Sequence, residues 1–123
     1  SVADRVYRVV LDTGSSDLFV PLSGCKVCVG DPNAFYDPYA SPHGDGRVVP
    51  CDAHCAYCQR WSFPVSGRDG NYCAFNATFG GGLTESALEC EDEVRVGAVG
   101  TTSAAPFGGI YNITMPGGGT AAA

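Results

Sequence analysis

Asp12 is the residue best placed to do chemistry. It stands in Asp12-Thr13-Gly14-Ser15-Ser16, at the end of the apolar run Val6-Tyr7-Arg8-Val9-Val10-Leu11. An aspartate delivered by a strand into a Gly-Ser turn lies within reach of backbone N–H groups and hydroxyls, which orient a carboxylate and hold it ready for general acid or base work. Outside such a setting, Asp-Thr-Gly is an ordinary Asx-type turn. One carboxylate cannot be acid and base at the same moment, so acid–base hydrolysis through Asp12 needs a second group beside it. None of Asp4, Asp17, Asp31, Asp37, Asp45, Asp52, Asp69 or Asp92 stands before Thr-Gly or Ser-Gly.

The cysteines are the second group with chemical potential. Seven occur in 123 residues: Cys25, Cys28, Cys51, Cys55, Cys58, Cys73 and Cys90. The knuckles Cys25-x-x-Cys28 and Cys55-x-x-Cys58 have the form of a four-thiolate zinc site. The long spacer, the additional cysteines and the sequons Asn76-Ala77-Thr78 and Asn112-Ile113-Thr114 favour disulfides in an oxidising, secretory compartment instead. Cys90 lies in Glu89-Cys90-Glu91-Asp92, an acidic setting that keeps a thiol protonated. His43 and His54 have no nucleophile motif around them, and Gly80-Gly81-Gly82 lacks the Lys of a phosphate loop.

Positioning Asp12 requires a strand before it and another after it, and Leu18 to Val20, ended by Pro21, supplies the second. From Cys25 to Cys73 the chain turns to Cys, Pro, Gly, Asp and Asn, which reads as a loop-rich insert needing covalent staples. Residues 74–99 regain strand character: Phe75 to Phe79, a tip at Gly80-Gly81-Gly82, then Leu88 and Val94-Arg95-Val96, together a hairpin. Beyond Gly100, the Thr, Ser, Ala, Pro and Gly composition predicts a flexible tail over 101–123. With 17 glycines, 8 prolines and short Val-, Phe- and Tyr-rich runs, the fold class is all-β, and the length is that of one domain. A net charge of −6 with scattered Lys and Arg excludes an electrostatic footprint for nucleic acid or anionic lipid. The sequence shows neither a signal-peptide pattern nor an apolar run of spanning length, and leaves a membrane anchor open.

Val10-Leu11-Asp12-Thr13-Gly14-Ser15-Ser16-Asp17-Leu18-Phe19-Val20-Pro21 resembles the first active-site segment of pepsin-like aspartic proteases. Phe79-Gly80-Gly81-Gly82 is similar to the tip of that family's active-site flap, and Asp92-Glu93-Val94-Arg95-Val96-Gly97 to the strand that follows it. Gly24-Cys25-Lys26-Val27-Cys28, Phe35-Tyr36-Asp37-Pro38, Val49-Pro50-Cys51 and Cys73 to Gly80 follow, in order, the cysteine-rich branch of nepenthesins and protein-export plasmepsins.

The resemblance implies a partial N-terminal lobe over residues 1–100, with its cysteine-rich insert at 25–73. Asp12 would be one of two catalytic carboxylates, with the second in a C-terminal lobe that is not in this sequence. Thr13 would tie the lobes together, Gly14 would allow close backbone approach and Ser15 would steady Asp12. Phe79, Gly80 and Gly81 would form the flap tip over a peptide or protein substrate, with no metal and no cofactor. The implied disulfides are Cys25 with Cys28, Cys51 with Cys73 and Cys55 with Cys58; Asn76 and Asn112 are glycosylation acceptors. Where the family has Trp and a flap Tyr, this chain has Phe19 and Phe79, an apolar pair that leaves no orphaned donor. Also missing are the first hairpin and the apolar-apolar-Gly strand that buttresses the Asp turn. The implied activity is that of an aspartic endopeptidase whose isolated 123 residues do not hydrolyse protein. The alternative is a non-catalytic binding protein of the xylanase-inhibitor type.

Overall fold

The computed structural model describes residues 18–40, 46–78, 80–96 and 99–115. Six strands form one sheet: β1 Phe19–Pro21, β2 Arg47–Val48, β3 Tyr57–Ser62, β4 Asp69–Thr78, β5 Thr84–Val96 and β6 Val99–Thr114. Their lateral order is β1-β6-β5-β4-β3, with β2 joined to β5 off this path. β1 runs parallel to β6, and every other pairing is antiparallel. Helical content among the described residues is limited to three-residue 3₁₀ turns. The architecture is therefore all-β, as the punctuated composition predicts.

Both faces of the sheet are apolar at its centre, because successive residues of a strand point to opposite sides. On one side Val20, Leu22, Tyr36, Val48, Phe63, Tyr72, Ala74, Leu88, Cys90 and Phe107 make the main core. On the other, Phe19, Ala87, Ile110 and Ile113 collect Val27, Cys28, Phe75, Ala77 and Leu83. Neighbours such as Phe19 and Val20, or Ala87 and Leu88, thus serve different layers. Full burial of a Leu88 or a Phe63 stabilises by about 1.5–3 kcal/mol.

Residues 101–114 depart from the flexible tail expected over 101–123, of which 116–123 lie outside the described residues. Val99–Thr114 is one strand, hydrogen-bonded to β5 along most of its length and to β1 at Phe19↔Gly108, Val20↔Gly109 and Pro21↔Ile110. Gly108 and Gly109 are needed for close packing. A Cβ on Gly108 would lie 2.6 Å from Phe19 Cδ1, and one on Gly109 2.6 Å from Leu22 Cδ1. Small residues that look like a linker in sequence are here the condition for β1 to lie against β6.

The cysteine-rich insert is also more ordered than its composition predicts. It contains β3 and part of β4, which pair from Tyr57↔Ala74 to Ser62↔Asp69. Two aspartates cap the turns before them: Asp31 Oδ1 accepts from Asn33 N at 3.0 Å, and Asp37 Oδ1 from Tyr39 N at 3.0 Å. Asp37 also accepts from Ser66 N at 2.9 Å, which fixes the β3–β4 loop. Trp61 Nε1 donates to Ser23 O at 3.0 Å and binds the insert to the segment after β1.

Candidate active site

Asp12, Thr13, Gly14, Ser15 and Phe79 lie outside the described residues. What the structure does place is the frame around them. β1 follows the Asp12 segment in the chain, and Gly108 N donates to Leu18 O at 2.8 Å at its start. The first apolar side chain of β1, Phe19, is buried against the Phe75 ring of β4, with centroids 5.8 Å apart and planes inclined at 43°. Phe75 lies on the strand that leads into the flap, so the segment after Asp12 and the flap strand share one apolar contact.

The predicted hairpin with its glycine tip is present. β4 and β5 pair from Ala74↔Leu88 to Thr78↔Thr84, and Gly80–Gly82 turns between them. Gly81 at φ +84° and Gly82 at φ +80° adopt the left-handed conformation that glycine tolerates without cost. A Cβ on Gly81 would meet nothing within 4 Å, so the tip stands clear of other atoms there. Near its base, burial holds the Glu85 carboxyl above the usual carboxylate range.

A tyrosine network behind the flap joins three strands. Tyr57 OH donates to Asn76 Oδ1 at 2.7 Å and shares a 2.7 Å hydrogen bond with Tyr111 OH, which lies 3.4 Å from Gln59 Oε1. Burial, with the Tyr57 hydrogen bond second, pushes the Tyr111 hydroxyl well above its ordinary value of 10.0. Tyr111 owes its position to a β-bulge: Ser86 pairs with Asn112 and Ala87 with Ile110, leaving Tyr111 as the extra residue. A bulge re-aims side chains, and here it leaves Tyr111 and Asn112 lining the same groove.

Sequence reasoning missed a buried polar pair, Tyr36 OH donating to Asp92 Oδ2 at 2.7 Å. Asp92 Oδ1 also accepts from Glu93 N at 2.7 Å. No signal in the sequence separates this aspartate from its half-buried neighbours Glu91 and Glu93. Cys90 is a free, buried thiol pushed far above its ordinary value, first by burial and only then by Asp92 and Glu89. The acidic setting is therefore the smaller cause.

The implied disulfide pairing is corrected in two of three bridges. Cys25 pairs with Cys28, but Cys51 pairs with Cys58 and Cys55 with Cys73. The β3–β4 register sets Cys58 directly opposite Cys73. With both ends of that cross-strand position occupied, the short segment before β3 supplies one partner to each. This arrangement removes the zinc alternative, since Cys25 and Cys28 are bonded to each other and Cys55 is bonded elsewhere. Among the described residues, Asp52, Cys55 and Cys73 place ligand atoms within 4.8 Å of one another, but both sulfurs belong to a disulfide and offer no thiolate.

The family model described as eukaryotic aspartyl protease matches residues 2–105, a span that includes Asp12-Thr13-Gly14 and the whole flap hairpin. The chain belongs to the eukaryotic aspartyl protease family. For an aspartyl protease domain, the described frame has clear parts: a strand leaving the aspartate turn, a β6 strand beside it and a glycine-tipped hairpin packed on the first through Phe75. Neither a search of the curated proteins nor one of the solved structures found a match. Among the described residues, no helix is long and apolar enough to cross a membrane.

Proposed function

We propose that this domain supplies Asp12 to an aspartic endopeptidase in which two carboxylates activate one water. The observation that carries the reading is the family match running unbroken across both the Asp12 turn and the flap hairpin. In the reaction, one carboxylate takes a proton from water while the other gives one to the peptide carbonyl oxygen. Water then adds to the carbonyl carbon, and the leaving nitrogen is protonated as the C–N bond breaks. Thr13, Gly14 and Ser15 position the first carboxylate, and the flap tip at Phe79, Gly80 and Gly81 closes over a peptide or protein substrate. The second carboxylate comes from a C-terminal lobe.

Within the family, the order of Cys25, Cys28, Cys51 and Cys73 favours the cysteine-rich branch of nepenthesins and protein-export plasmepsins. Three disulfides and two sequons favour the secretory pathway. A second reading, a non-catalytic binding protein of the same fold, draws on the buried apolar contact of Phe19, where an active enzyme of the family carries a Trp.

The test is Asp12→Asn in the two-lobed protein, assayed at acid pH on a denatured protein substrate and for binding of a statine-type transition-state mimic. Loss of one member of an acid–base pair lowers turnover by about 10²–10⁴-fold. Unchanged turnover refutes the catalytic role. Absence of both turnover and mimic binding in the unsubstituted protein supports the binding-protein reading.

A further inference from the structure

Between the Cys25–Cys28 loop, β3 and the end of β6 lies a groove of about 420 Å³. Trp61 and Tyr111, with ring centroids 5.4 Å apart, line it together with Lys26, Gln59 and Asn112. β1 stops opposite Ile110, so β6 has no strand neighbour on that side at Asn112 among the described residues. The groove therefore opens beside the acceptor asparagine of Asn112-Ile113-Thr114.

We propose that this groove seats the first sugar of an N-linked glycan carried by Asn112. Three observations on the chain converge. The bulge brings Asn112 into the groove beside Tyr111, where regular alternation would send the two side chains to opposite faces. The Asn112 carboxamide has no hydrogen-bond partner among the described residues, whereas Asn76, the acceptor of the other sequon, is held by Tyr57 on the exposed side of β4. The groove also has the chemistry of a sugar site: flat aromatic faces for the C–H side of a pyranose, beside amide and ammonium groups for its hydroxyls and acetamide.

The covalent step is a substitution at carbon. Asn112 Nδ2 attacks C1 of N-acetylglucosamine in a lipid-diphosphate-linked oligosaccharide. The Nδ2–C1 bond forms, the C1–O bond to diphosphate breaks, the amide loses one proton and the lipid diphosphate departs, with no change in oxidation state. The inference rests on the secretory reading given above and is independent of whether Asp12 hydrolyses peptides.

Trp61 is the only tryptophan in the sequence, so its fluorescence reports on the groove without a label. The experiment directs the full chain into the secretory pathway of a eukaryotic host and maps occupancy at Asn112 by glycopeptide mass spectrometry. Acrylamide quenching of Trp61 is then compared in the intact form, after endoglycosidase H trimming to a single N-acetylglucosamine, and after complete removal by peptide N-glycosidase F. Trimming is expected to leave Trp61 shielded, and complete removal to raise its quenching constant about twofold, as for an aromatic lining losing a pocketed ligand. Asn112→Gln is expected to match the stripped form, and Asn76→Gln the intact one. An unoccupied Asn112 in a lumenal or secreted chain with intact disulfides overturns the inference and leaves the protease reading standing. Equal quenching in all three enzymatic states overturns it as well, and that comparison needs no variant to fold.

Discussion

Gly108→Ala is the sharpest test of how the fold presents the aspartate turn. The added methyl would lie 2.6 and 2.7 Å from two atoms of the Phe19 ring and 3.1 Å from Phe75 Cζ. Ordinary carbon contacts begin near 3.5 Å, so β1 and β6 must separate by several tenths of an ångström or Phe19 must leave its rotamer. Overpacking of this kind costs about 1–3 kcal/mol, while replacing Gly by Ala returns about 0.4–1 kcal/mol through the unfolded chain. The net expectation is a loss of about 1–2 kcal/mol in urea unfolding, with an unchanged m-value. Phe19→Leu removes the ring that the methyl strikes, so in a double-mutant cycle it should recover about 1 kcal/mol in the Gly108→Ala background. A Gly108→Ala protein as stable as its parent, or strictly additive effects with Phe19→Leu, would refute the claim that β6 is pressed against β1 at this point.

Other expectations concern the buried polar groups and the bridges. Tyr36→Phe deletes the hydrogen bond to buried Asp92 and should lower stability by about 1.5–3 kcal/mol in denaturant melts, with unchanged stability as the contrary result. The Cys90 thiol should resist Ellman's reagent in the folded chain and react fully once unfolded. Because burial keeps that thiol protonated above its ordinary 9.0, folding holds a proton that the unfolded chain releases. The stability linked to it is complete below about pH 9 and falls as pH rises, by at most about 1.4 kcal/mol per unit. Tyr72 and Tyr111, raised by burial from 10.0, add to the loss at higher pH, so Cys90→Ala should remove the slope at its onset and lessen it beyond. Cleavage before Asp52, after Tyr57 and after Arg60 puts Cys51, Cys55, Cys58 and Cys73 on four separate peptides, and non-reducing mass spectrometry should find the Cys51 peptide joined to that of Cys58 and the Cys55 peptide to that of Cys73. The opposite connectivity would show the crossed pairing to be wrong.

The elements most legible in sequence were those whose local chemistry agrees with their place in the fold. Phe75 to Thr78 alternates half-buried and exposed, a run of three glycines can only turn, and the β4–β5 hairpin follows. β6 was hidden because Pro106, Gly108, Gly109 and the small residues before them have the composition of a linker. Their purpose, letting Phe19 and Leu22 approach the backbone, exists only once β1 lies alongside. β3 was obscured in the same way by the cysteines around it. At the candidate site, Asp12-Thr13-Gly14 and the flap could be read from motif order, and the family match covers both. The Tyr36–Asp92 pair and the bulge at Tyr111 arise from long-range register, which no local pattern encodes.

The placement of β6 also bears on how the chain is made. Of the six described strands it comes last in the chain, yet it lies between β1 and β5 rather than at a margin of the sheet. Until Gly108 to Ile110 leave the ribosome, β1 lacks the parallel pairing it makes with them, and the border of β5 that β6 covers stays open. Nascent chains in this state expose a ready template for foreign strands. A chaperone that shields that border through translation would matter more to yield than any gain in the finished domain's stability.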